Sequence, residues 1–225
     1  MLIGEMNLQS PSLSSRLMKA GGALGLPGGL CVATAYVLHP PAATPTVVAS
    51  SFWIIIHVLF LISLICGALL LVALLGRYVS RGGRIIGAVW CVLGILSMML
   101  ILGLDYSEVF IFPVLAEEFP EVIERYGDGV SMPSIAFVFP VSGVLFLLGF
   151  SLFSYELIRT ESLPKRPAAV LLVSTIVFAF GLSGFAPFLV VKVGAVLFGI
   201  GIAWVGLALM RVVSDSTGPT VAASG

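Results

Sequence analysis

Charge is what this sequence has least of: 11 basic and 11 acidic residues in 225, a tenth of the chain, with a formal net charge of zero. A soluble domain with 59% hydrophobic residues and so few charges has no means of covering its surface, so a soluble globular protein is excluded. The balanced charge also excludes an electrostatic footprint for nucleic acid. There are only two histidines, His39 and His57. The three cysteines, Cys31, Cys66 and Cys91, are odd in number and show no CxxC or metal spacing. Each sits inside an apolar run, where a thiol behaves as a small hydrophobe. HExxH, the P-loop and the dinucleotide fingerprint are absent as well.

What is present is a series of long apolar runs, with a mean hydropathy of +1.17 over the chain. The longest, 51–76, has 26 residues without a charge. At about 1.5 Å per residue it makes roughly 39 Å of helix, more than the roughly 30 Å hydrocarbon core requires. The same reading along the chain gives an all-α, polytopic transmembrane bundle of six helices, 20–38, 51–76, 85–104, 135–155, 168–187 and 193–210, as a single domain over 20–211. Polar tails 1–19 and 212–225 flank it, and an external acidic loop covers 105–134. Pro27 is expected to bend the first helix, and His39-Pro40-Pro41 to end it, because a residue before proline is pushed out of the α region. Pro113 and Pro120 are expected breaks after the third helix. Ser142, Ser151 and Ser154 on the fourth are placed to bond carbonyls of their own helix.

Arg77, Arg81 and Arg84 crowd one loop, and Arg159, Lys165 and Arg166 another. With Arg16, Lys19 and Arg211 these are nine of the eleven basic residues, and all nine fall on one side of a six-helix topology. Only Arg125 and Lys192 fall on the other. The excess of basic residues marks the cytoplasmic face, so both termini are expected inside. Seven carboxylates between Asp105 and Asp128 accordingly lie outside.

This topology brings four polar residues to one membrane level. His39 ends helix one outside, His57 enters helix two from outside, and Asp105 and Glu108 end helix three there. Asp105 and Glu108, three apart, share a helical face if the helix continues that far. The expected site is therefore an outward-facing polar pocket at His39, His57, Asp105 and Glu108, binding a small solute, an ion or a lipid group without catalysis, as in a small transporter, sensor or accessory subunit. Two imidazoles and one or two carboxylates also make a ligand set suited to zinc or iron, and His39 with His57 could hold a haem. On that alternative the protein is a metal- or haem-dependent enzyme or redox protein. Besides the lipid bilayer, the expected contact is between helices, within the chain or in a homo-oligomer. Gly21, Gly25 and Gly29 on the first helix and Ala195, Gly199 and Ala203 on the last recur every fourth residue and leave stripes nearly free of side chains. A purely structural or interaction role is the third class.

Two resemblances bear on function. Gly181-Leu182-Ser183-Gly184 matches the GxSG of rhomboid intramembrane proteases, whose serine pairs with a histidine on a later helix. No histidine follows Ser183 here. The helix ending in His39-Pro40, the second helix with Trp53 and His57 near its start, the basic loop and the acidic exit of the third helix together resemble a loose class of prokaryotic six-helix, multi-pass membrane proteins. That resemblance implies a topology and no activity.

Overall fold

The computed structural model describes residues 12–127, 132–133 and 136–215. Part of the expected acidic loop, 128–131 and 134, the start of the fourth helix at 135 and the outer parts of both tails lie outside those residues. The described chain folds into ten helices: α1 (Leu13–Ala23), α2 (Gly25–Leu38), α3 (Pro45–Val48), α4 (Ser51–Ser80), α5 (Ile85–Phe110), α6 (Phe112–Glu118), α7 (Pro120–Tyr126), α8 (Val138–Arg159), α9 (Lys165–Leu182) and α10 (Phe188–Asp215). Six stretches are long and apolar enough to cross a membrane: Leu13–Leu38, Ser51–Ser80, Ile85–Glu118, Val138–Arg159, Lys165–Leu182 and Phe188–Asp215.

Several boundaries differ from the sequence expectation, each for a local reason. Helix begins at Leu13, inside the expected tail, because the Ser12 side chain accepts the Ser15 N–H and caps it. Pro27 lacks the N–H that would bond the Ala23 carbonyl, and the first span is interrupted there, between α1 and α2. Helix α5 runs six residues past Leu104, so Asp105 and Glu108 are helical. Pro113 then falls in the first turn of α6 and Pro120 opens α7. The turn before the last span comes at 183–187, earlier than expected. Lys192 is no boundary, because its ammonium donates to the Val37 carbonyl at 2.8 Å and sits over the Phe188 ring. Of the three serines on α8, only Ser142 bonds a carbonyl of its own helix; the Ser151 and Ser154 hydroxyls are buried without a partner.

Each span packs on the next, and α10 closes the circle against α2 and α1. The closure is made by small residues. Gly29 meets the Gly199 carbonyl, and a Cβ at Gly25 would lie 2.8 Å from the Ile202 carbonyl oxygen and 3.0 Å from the Gly206 Cα. Ala203 packs on Gly29, and Ala195 is fully buried on the same helix. Gly21 faces α4 instead, against Ala73. The two stripes thus serve contacts within one chain. The interior of the ring is filled by Phe146, Phe150, Phe178 and Phe198, whose rings touch at centroid distances of 4.9–5.8 Å.

The acidic segment is helical as far as Tyr126. In α6 and α7, Phe112, Ala116 and Ile123 turn inward onto Val48 and Trp53, forming a small second core over the start of α4. Glu117, Glu118, Glu121 and Glu124 point to solvent. This cap lies over the end of the bundle that carries both histidines.

Candidate functional site

Beneath the cap, side chains from α2, α4, α5 and α10 converge. His39 and His57 meet edge to face at a centroid distance of 5.5 Å. Trp53, one helical turn before His57 on α4, packs on its ring at 4.3 Å and on His39 at 5.4 Å. Phe60, one turn further on, touches His57, His39 and Tyr36. Phe188, from α10, closes the far side of His39 at 6.1 Å.

Each imidazole is held by a backbone carbonyl. His39 Nδ1 bonds the Pro40 carbonyl at 2.7 Å and His57 Nδ1 bonds the Trp53 carbonyl at 3.0 Å. A carbonyl oxygen only accepts, so Nδ1 carries the proton in both rings. Both Nε2 atoms are left as lone-pair acceptors. His39 is partly buried, and loss of water pulls its pKa below the ordinary 6.5. The Pro40 carbonyl opposes that shift and the Lys192 charge adds to it. The folded protein therefore resists protonation of His39 more than the unfolded chain does. Stability present above pH 6.5 is lost progressively as pH falls below it. The expected result is a thermal midpoint that drops on acidification from pH 7.5 to 5.5, with a smaller drop in His39→Asn; an unchanged drop would remove His39 as its source.

The carboxylates reach the same end from α5. Asp105 is buried, within electrostatic range of Glu108 and of the Tyr36 hydroxyl. The Trp53 indole N–H lies beside the Glu108 carboxylate. It falls short of a well-formed hydrogen bond, for Trp53 Nε1, Glu108 Oε2 and Asp105 Oδ2 are all buried without a partner. A buried polar atom left unpaired costs about 1–3 kcal/mol, more when it is charged, so these three atoms are a costly local feature of the fold.

The four sequence-predicted residues thus share one end of the bundle, without gathering into one ligand set. Among the described residues no three His, Cys, Asp or Glu side chains come together as ligands. The physical reason is that the histidines contact each other and Trp53, while Glu108 faces the indole and Asp105 lies toward Tyr36. His39 and His57 stand edge to face in direct ring contact, at one depth across the first and second spans. Ser183 is exposed and takes no part: its hydroxyl donates to the Phe180 carbonyl and accepts from the Phe185 N–H, closing a turn. The sequence reading passed over Tyr36, Phe60 and Phe188 as parts of the site. Tyr36 and Phe60 lie three residues from His39 and His57 on their own helices, a spacing that could have marked them.

The opposite end carries a second polar cluster that the sequence reading missed. Tyr78, fully buried near the end of α4, accepts the Arg84 N–H at 2.9 Å and donates to Glu156 Oε2 at 3.0 Å. Arg159 pairs with the same carboxylate oxygen at 2.7 Å, and Arg77 Nε donates to the Ser162 carbonyl at 3.2 Å. These bonds tie the 81–84 loop to the 160–164 loop. Glu156, an acid three residues before Arg159 at a helix end, was the available signal.

Compared with protein-family models, with curated proteins and with solved structures, the chain matches none. Fold and sites together define a class, an all-helical multi-pass bundle with six helices fit to cross a membrane.

Proposed function

We propose that this is a non-catalytic protein of a prokaryotic cytoplasmic membrane, with both termini inside, whose capped outer site binds a small cationic or hydrogen-donating ligand. The observation that carries this reading is the excess of unsatisfied acceptors at one place. Asp105 Oδ2 and Glu108 Oε2 are buried without partners, and both imidazoles turn Nδ1–H away to carbonyls. The walls are aromatic, and aromatic faces attract cations. A small ammonium would satisfy the carboxylates and pack against Trp53 and Phe60. Among the described residues a phenylalanine cluster fills the interior between the two ends, which supports a sensor or accessory subunit over a transporter. The orientation rests on the nine-to-two distribution of basic residues.

Trp53 reports on this site directly. In a Trp90→Phe/Trp204→Phe background Trp53 is the single tryptophan of the chain. Methylammonium chloride is expected to change its fluorescence saturably, while sodium chloride at equal ionic strength does not. The response should fall at least tenfold in Asp105→Asn/Glu108→Gln, the order of effect expected when a charge partner is removed (about 1.4 kcal/mol or more). A response equal in both salts, or unchanged in the double variant, would exclude a cation site here.

A further inference from the structure

At the basic end of the bundle a cavity of about 260 Å³ opens between the ends of α4 and α10 and the start of α9. Arg77, Arg81 and Lys165 supply its charge, and Leu163, Pro164 and Val212 its apolar wall. Its volume is a little below the range for drug-sized ligands and suits a compact group. Arg77 and Arg81 stand four apart at the end of α4, where like charges repel. Among the described residues neither has a carboxylate within ion-pair distance; the two ion pairs are Arg159–Glu156 and Lys165–Glu161. Arg77 commits only Nε, to the Ser162 carbonyl. The start of α9 adds to this field. It has no side-chain cap and no acidic residue in its first turn, so its leading N–H groups and the positive end of its dipole lie at the same loop.

We infer that this cavity is a binding site for a phosphate-bearing anion, the headgroup of an anionic lipid or a free phosphate. Arg77 and Arg81 hold the phosphate oxygens through charge-assisted bonds, and Lys165 adds a third cation. Basic pockets between spanning helices on the cytoplasmic side are suited to anionic headgroups, and the apolar wall gives the start of an acyl chain a surface to follow. Glu161 opposes the anion. It lines the cavity, pairs with Lys165 at 3.6 Å, and sits in the left-handed region at φ 51°. Asparagine tolerates that backbone and lacks the charge. Glu161→Asn should therefore bind the anion more tightly, an outcome that a merely structural loop would not produce.

The test uses the full-length protein in dodecyl maltoside, its thermal midpoint followed as phosphatidylglycerol or phosphatidylcholine is added to the micelles. A saturable rise with phosphatidylglycerol alone is expected. It should be lost in Arg81→Gln/Lys165→Gln, whose side chains are exposed and whose midpoint in phosphatidylcholine should equal wild type. It should persist in Arg166→Gln, a cation in the first turn of α9 that does not line the cavity. In Glu161→Asn half-saturation should come at about threefold less lipid. Inorganic phosphate forms a separate arm: a rise there, lost in the same double variant, supports the site with free phosphate as its occupant. A midpoint indifferent to both, or an equal loss in Arg166→Gln, overturns the site and leaves only diffuse attraction between basic loops and anionic surfaces.

Discussion

Gly29→Val is expected to cost the protein about 3 kcal/mol, at the upper end for forcing extra carbons into a packed interior, and to break the closure of the helix ring. In water much of helix packing is driven by removing apolar surface from solvent. In a bilayer the lipid tails are as apolar as leucine, so association depends on van der Waals contact and close backbone approach. Gly29 supplies that approach directly, facing the Gly199 carbonyl with Ala203 beside it. A neighbour that is backbone cannot rotate away as a side chain can. The strain must be relieved by moving α2 off α10, which loosens the adjacent contacts at Gly25 and Gly22 as well. The check is the thermal midpoint and elution profile in detergent, set beside Gly103→Ala. Gly103 has nothing within contact distance of a new Cβ, so its alanine variant should be neutral or up to about 1 kcal/mol more stable from helix propensity. Equal behaviour of the two variants would show that the α2–α10 seam does not hold the ring.

Tyr78→Ala should be of similar size, about 3–5 kcal/mol, by the cost of emptying a buried aromatic position. The ring fills the space that Gly83 and Gly87 leave open and meets Phe153 at 5.7 Å. Tyr78→Phe separates packing from polarity. It keeps the ring and leaves the Arg84 N–H and the Glu156 carboxylate each short of a partner, for a loss of about 1–3 kcal/mol. Arg159 is more than a third exposed, so water softens the loss at Glu156. A double-mutant cycle of Tyr78→Phe with Glu156→Gln should give a coupling of about 1 kcal/mol. Additive effects in that cycle would mean the hydroxyl and the carboxylate act apart, and the loop tie would have to be sought at Arg77 and Ser162.

How much of this could be read from sequence differs between the two ends. At the histidine end, topology alone brings His39, His57, Asp105 and Glu108 to one level, since alternate helix ends share a face. It cannot set rotation about each helix axis, and rotation decides that Glu108 meets the Trp53 indole while the histidines meet each other. That is why a metal-ligand set is legible as composition and not realised as geometry. At the basic end, Glu156 reads as one more charge in a loop. Only the packing of α8 against α5, and of α5 against α4, brings it to Tyr78.

The sequence by itself determined that the chain is helical, with six helices long and apolar enough to cross a membrane. Those properties follow from run length, hydropathy and the cost of unpaired backbone in lipid, all local quantities. The glycine stripes announced close helix contacts for the same local reason. Which stripe meets which was left to the tertiary structure: Gly25 and Gly29 meet α10, while Gly21 turns to α4. Long-range pairing of that kind also stacks Trp53 on His57 and leaves buried carboxylate oxygens unpaired, because it depends on how six apolar cylinders share their surfaces, and each cylinder's own pattern allows several arrangements.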